Sequence, residues 1–175
     1  MIQKKICMLG APMVGKTSLV ERFVQNGFSD RYQTTMGVKI NRKEVTLGGE
    51  DLRLILWDIQ GDDGSLTFIN SYLRGAAGYL LVVDGTRRPT FHTAREIQKS
   101  VERVMGPVPF VFIINKSDLA DEWDIDDQTL SEISGQHGPI NQTSAKLGQG
   151  VDDAFLSLAR QIFAKHLPRP DSVNR

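Results

Sequence analysis

The sequence predicts an α/β fold: a six-stranded, mostly parallel open sheet with one antiparallel edge strand and helices on both faces, three layers in all. Three observations carry this. Short apolar, β-rich runs alternate with stretches of helical period, the pattern of strand–helix–strand units. Gly78–Asp84 and Pro109–Ile114 are apolar without alternation, as strands buried on both faces are. Val38–Leu47 and Asp51–Ile59 flank Gly48-Gly49, a two-residue hairpin signal that supplies the antiparallel pair.

The elements follow in order. Ile2–Leu9 is a strand leading into Gly10. From Gly15, Leu19, Val20, Phe23 and Val24 recur at one-turn spacing, as on one helix face. The hairpin comes next, its second strand alternating Leu52, Leu54 and Leu56 with Arg53 and Ile55. After the strand at Gly78–Asp84, Phe91, Ala94, Ile97, Val101 and Val104 keep a helical period. Beyond Pro109–Ile114, a short helix is expected at Asp126–Ser134 and a short last strand at Pro139–Gln142. Val151, Ala154, Phe155, Leu158, Ala159, Ile162 and Phe163 form the cleanest amphipathic helix, ending before Pro168.

Composition bounds the function. A chain of 175 residues is one domain at about 150 residues per domain. Such a domain buries about 70% of its unfolded surface, enough for a core without staples. Lys+Arg and Asp+Glu both number 21, so no bulk charge favours nucleic acid or an anionic membrane. A single cysteine, Cys7, excludes an internal disulfide and a Cys-rich zinc site, and reads as a small buried hydrophobe. No apolar run reaches the ~20 residues of a membrane span. Ile2 stands where myristoylation needs glycine, and 171–175 carry no cysteine to prenylate. The expectation is a cytoplasmic protein with no direct lipid anchor, monomeric by default, that reaches membranes only through a partner. The pairs Lys4-Lys5 and Arg87-Arg88 read as solvated surface, and Asp118–Asp127, with six acidic residues, as an exposed loop.

After the first strand, Gly10-Ala11-Pro12-Met13-Val14-Gly15-Lys16-Thr17 matches G-x-x-x-x-G-K-[ST] in strand–loop–helix context. Polyphosphate is densely negative. A loop of successive backbone N–H groups surrounds it, and the next helix points its positive dipole end at it. The expected contacts are Ala11, Met13, Val14, Gly15, Lys16, Thr17 and Ser18. Gly15 lets the backbone come close, Lys16 places a point charge on the β- and γ-phosphates, and the Thr17 hydroxyl is a hard ligand for Mg²⁺. Pro12 removes one N–H from the loop. It either stiffens the loop or alters the approach of water or of a partner's arginine.

Ile114 ends a buried strand and Asn115-Lys116-Ser117-Asp118 follows. The Asp118 carboxylate can accept two hydrogen bonds from guanine N1–H and N2–H₂. Adenine would leave it unpaired, a penalty of the kind that discriminates by about 10⁴–10⁵. The Lys116 stem can lie along the base plane, and Asn115 can tie this loop to the phosphate loop. Thr143-Ser144-Ala145-Lys146 follows the last strand, and its backbone could complete the pocket at guanine O6; Ser144, Ala145 and Lys146 join the candidate set.

With these motifs, the chain from about Lys4 to Leu167 resembles the Ras-like small GTPase superfamily. Tyr32-Gln33-Thr34-Thr35-Met36-Gly37 is similar to the first switch, nearest its Rab-type form, and Trp57-Asp58-Ile59-Gln60-Gly61 to the W-D-x-x-G of the second. The resemblance implies a P-loop GTPase G domain over residues 1–167 with a short tail, 168–175. It implies GTP and GDP binding, Mg²⁺, slow hydrolysis, and nucleotide-controlled effector binding under an exchange factor and a GTPase-activating protein. By the same match, Thr35 ligates Mg²⁺ only with GTP and Asp58 holds it through water. The Gly61 N–H meets the γ-phosphate, Phe28 stacks edge-on to guanine, and Tyr32 lies over the phosphates. Thr34 competes with Thr35, whose spacing to Gly37 favours it; Phe28 could instead close the core.

The family's water-orienting glutamine is replaced by Asp62, followed by Asp63. An ionised carboxylate is repelled by the γ-phosphate and donates no hydrogen bond, so the catalytic set Lys16, Thr35, Gly61 and Asp62 implies slow intrinsic hydrolysis. Gln60 lies one register off for a simple replacement. A guanine-nucleotide-binding scaffold that does not hydrolyse is the alternative. A phosphate-loop kinase or ATPase is a third, weakened by Asn115–Asp118.

Overall fold

The computed structural model describes residues 1–31, 34–61, 66–137 and 140–166. Its strands are β1 (Ile2–Gly10), β2 (Val38–Leu47), β3 (Glu50–Ile59), β4 (Ala76–Asp84), β5 (Phe110–Asn115) and β6 (Asn141–Thr143). Its α-helices are α1 (Lys16–Gln25), α2 (Thr67–Leu73), α3 (Arg88–Met105), α4 (Asp127–His137) and α5 (Val151–His166), with a 3₁₀ segment at Ser117–Glu122. The sheet order is β2-β3-β1-β4-β5-β6. Among these strands, β2 and β3 pair antiparallel and the other neighbours pair parallel.

Side-chain alternation along the central strands builds two cores. On β1, Ile6 and Met8 face one side and Cys7 and Leu9 the other; Leu80 and Val82 of β4 oppose Tyr79, Leu81 and Val83 in the same way. The first side is covered by α1 and α5, through Leu19, Val20 and Phe23 and through Ala154, Phe155, Leu158 and Ile162. The second is covered by α2, α3 and α4, through Ile69 and Leu73, Ala94, Ile97 and Val101, and Ile133. Burial on both faces explains the unbroken apolar runs of β4 and β5. Gly78 is needed at one contact: a Cβ there would stand 2.7 Å from the Pro109 carbonyl and 3.0 Å from Leu158.

The Phe23 and Phe155 rings stack between α1 and α5 with centroids 4.2 Å apart. Replacing the fully buried Phe155 by alanine should lower unfolding stability by about 3–5 kcal/mol. A drop in denaturation midpoint at unchanged slope checks this.

The hairpin turn has positive φ at Gly48 (59°) and Gly49 (86°), and Leu47 pairs with Glu50. Positive φ at both central residues is the twist-matched hairpin turn that favours glycine. The expected last strand begins instead at Asn141; Pro139 lies outside the described residues. Residues 118–122 of the expected exposed loop are 3₁₀.

β1, β3, β4, β5 and β6 run in one direction, so their carboxyl ends share an edge. Gly10, Ile59, Asp84, Asn115 and Thr143 stand there. Open parallel sheets bind ligands in the crevice beyond this edge. β2 runs the other way, and its pairing of Val38 with Ile59 brings the preceding Thr35 to the same edge.

Candidate nucleotide-binding site

A cleft of about 390 Å³ opens beyond this edge, between the β1–α1 loop and the segments before β2 and after β3. Met13, Gly15, Lys16, Thr17 and Ser18 line its floor; Phe28, Thr35 and Gly61 line its sides. Gly15 is the N-cap of α1, with φ 99° and no side-chain cap. The helix therefore presents uncapped first-turn N–H groups, a ready anion site. The buried Lys16 Nζ donates to the carbonyls of Gly10 (3.0 Å) and Ala11 (2.8 Å), which anchor the ammonium at the loop.

At one side the Thr17 and Thr35 hydroxyls share a 2.6 Å hydrogen bond. Both reach Asp58 Oδ2, at 2.5 Å from Thr17 and 3.4 Å from Thr35. Thr34 also lines the cleft, but the contact with Thr17 and Asp58 is made by Thr35. Asp58 is fully buried, and its Oδ1 has no hydrogen-bond partner among the described residues. Burial raises the carboxyl pKa, against the Thr17 hydrogen bond and the Lys16 charge that lower it. Two neutral hydroxyls and a buried carboxylate with an unsatisfied oxygen suit a small hard cation, so the residues present fit Mg²⁺.

The base-side residues abut this cleft at Gly15. Asn115 Nδ2 donates to the Val14 carbonyl at 3.0 Å, and a Cβ on Gly15 would collide with that amide. Asn115 Oδ1 accepts from the Thr143 hydroxyl (3.0 Å) and the Ala145 N–H (3.3 Å). One buried side chain thus joins the phosphate loop, the end of β5 and the turn after β6. Ser144 Oγ donates to Asp118 Oδ1 at 2.7 Å, fixing the carboxylate and leaving its second oxygen to present. Phe28 is 37% exposed on the cleft wall, so it does not close the core.

Four supporting residues carry no sequence signal. Arg22 of α1 clamps the last turn, donating to the carbonyls of Ala145 (2.8 Å) and Lys146 (2.6 Å). Trp123 donates its indole N–H to the Lys116 carbonyl (3.0 Å) and packs where a Gly85 side chain would stand. Asp84 and Arg87 join the same wall. Asp84 is fully buried, and Oδ2 takes Lys116 Nζ at 2.6 Å and Arg87 Nε at 3.0 Å. Arg87, partly exposed, is therefore not merely a solvated charge. Neither is Lys5, whose ammonium donates to the Tyr72 and Arg74 carbonyls and sits 3.7 Å over the Trp57 ring. Tyr32, Asp62 and the tail 168–175 lie outside the described residues.

Among the described residues no helix is long and apolar enough to cross a membrane. The Ras family pattern matches residues 5–164. The Ras-related protein Rab-1D of Dictyostelium discoideum is 32% identical over 97% of this chain and 87% of its own length. The Ras-related protein Rab-13 of Bos taurus is 32% identical over 92% of this chain and 80% of its own, and Rab-13 of Canis lupus familiaris is 32% identical over the same shares. With that match over a cleft of this construction, the chain belongs to the Ras family, as a GTP-binding small GTPase of Rab-like type.

Proposed function

We propose that this chain is a GTP/GDP switch that hydrolyses GTP slowly and binds partners according to the nucleotide held. The observation that carries the reading is the Asn115 bridge to Val14, which sets a purine pocket and a polyphosphate loop against each other. In this reading Asp118, held by Ser144, selects guanine, and Lys116 flanks the base. Ala145 and Lys146 close the pocket, and Phe28 covers it from the cleft wall. The N–H groups of Ala11 and 13–18 cradle the phosphates, with Lys16 at the β- and γ-positions. Thr17, Thr35 and Asp58 would hold Mg²⁺, which when bound neutralises charge on the phosphates. Thr35 already meets Thr17 and Asp58, and a γ-phosphate would add the contacts that hold Thr35 and Gly61 in place and fix the segments before β2 and after β3. Those segments and the β2–β3 hairpin would be read by effectors, an exchange factor and an activating protein. Such a partner's arginine can raise hydrolysis about 10³–10⁵-fold.

In sequence, Asp62 takes the position of the family's water-orienting glutamine. Asp62→Gln should therefore speed single-turnover GTP hydrolysis roughly tenfold or more. Fast hydrolysis by the native chain that is lost in Asp62→Ala would show the carboxylate to be productive.

A second reading, a binder that does not turn over, is favoured by Pro12. A Cβ on Gly61 would lie 2.5 Å from the backbone Cα and N of Pro12, so the loop backbone at Pro12 packs directly on the glycine expected at the γ-phosphate. Phosphate release followed over hours, alone and with cell extract, decides between them.

A further inference from the structure

We propose that Asp84 is a positioning residue for both ends of the nucleotide, acting through Lys116 on one side and through Arg87 on the phosphate loop. This rests on the nucleotide reading above and adds two residues to it.

The geometry is a chain of charge-assisted contacts. Asp84 ends β4, fully buried, midway between the two loops. Its Oδ1 takes the backbone N–H (2.9 Å) and hydroxyl (2.7 Å) of Thr86. Its Oδ2 takes Lys116 and Arg87. Burial pushes this carboxyl up, but the hydrogen bonds from Lys116, Thr86 and Arg87 outweigh it and hold the group below the ordinary carboxylate range. The remaining arm of Arg87, Nη2, donates to the Pro12 carbonyl at 2.8 Å.

That last contact fixes a peptide plane. In a trans peptide the C=O and the following N–H point opposite ways, and no cis bond occurs among the described residues. With the Pro12 carbonyl turned toward Arg87, the Met13 N–H is turned away from it. Met13, which lines the cleft, has φ 65°. A side-chain-bearing residue in this left-handed region is disfavoured, so the loop conformation needs support from outside. Arg87 supplies it, and Asp84 aims Arg87. Because Pro12 has no N–H to give, the orientation of the next donor carries more of the phosphate contact. The same carboxylate holds the Lys116 ammonium, which sets the stem that flanks the base. Lys116 itself has φ 69°, a second left-handed residue braced by Asp84.

The test uses the full chain loaded with Mg²⁺ and a fluorescent GDP, comparing native protein with Arg87→Ala, Asp84→Asn and Arg88→Ala. Arg88 pairs with the exposed Asp126 and serves as control. Arg87→Ala should speed GDP release roughly three- to tenfold, the net scale of one ordinary hydrogen bond, since this arm of Arg87 is exposed, while affinity for GMP, which lacks the β-phosphate, stays within about twofold. Asp84→Asn should speed GDP release more and also weaken GMP, since Lys116 is freed as well. The double variant should release GDP no faster than Asp84→Asn alone, because both act in one chain. Arg88→Ala should match the native chain. Native release rates in Arg87→Ala, or equal losses of GDP and GMP in it, overturn the proposal. Arg87 is partly exposed, so its variant folds even if the buried Asp84→Asn does not. Failure of the native chain to bind guanine nucleotide overturns the nucleotide reading itself; native binding with unmoved variants overturns this inference alone.

Discussion

Replacing Asp118 by alanine is expected to remove the preference for guanine, lowering GDP affinity about 10³-fold or more while the weak binding of ADP rises as its unpaired-carboxylate penalty is lifted. The carboxylate is held by Ser144 at 2.7 Å, on a turn tied through Asn115 to both neighbouring loops. Its position is therefore set before ligand arrives, and little ordering cost falls on binding. A site built to hydrogen-bond one partner rejects an analogue by the cost of leaving its own polar group unpaired, which reaches about 10⁴–10⁵. Alanine removes both the attraction for guanine and the penalty for adenine. Parallel titrations of the variant with GDP and ADP read this as a ratio. A ratio that stays at the native value would place base selection elsewhere.

Lys16→Ala is expected to lower GDP affinity by about 10²–10⁴-fold, on the scale of removing one or two charge-assisted hydrogen bonds from a nearly buried site. The ammonium is anchored on the Gly10 and Ala11 carbonyls, so it is already in place at the floor of the cleft. GMP should be affected far less, since Lys16 is assigned to the β- and γ-positions. Equal losses for GDP and GMP would mean that the substitution loosens the loop as a whole. Far-ultraviolet circular dichroism and the denaturation midpoint of the nucleotide-free variant separate a local loss from a folding defect.

Much of this architecture was legible in the residues because the physics there is local. The hairpin, bounded by Gly48-Gly49, located β2 to the residue, and the unbroken apolar runs located β4 and β5. α2 escaped because it is seven residues long and buries only Ile69 and Leu73, a single i, i+4 pair and too few to show a repeat. The 3₁₀ segment at Ser117–Glu122 escaped because it buries no residue, leaving an acidic run that looks like solvent-exposed loop.

The candidate site divides in the same way. Lys16, Thr17, Asn115 and Asp118 announce themselves by short fixed spacings. Arg22, Asp84, Arg87 and Trp123 do not, because what places them is tertiary: Arg22 reaches Ala145, and Arg87 reaches Pro12. A basic pair such as Arg87-Arg88 looks uniform in sequence, yet one member meets a buried carboxylate and the other an exposed one. Only the strand order, which puts β4 between β1 and β5, makes Asp84 a neighbour of both loops.

The central claim is that the Lys16 loop and the Asp118 turn grip opposite ends of one guanine nucleotide. Isothermal titration of nucleotide-stripped native protein in Mg²⁺ with GDP and then with ADP tests it most directly. The expected result is one tight site for GDP and no measurable heat from ADP at the same concentrations. Comparable affinities for the two, or no binding of GDP, would contradict it.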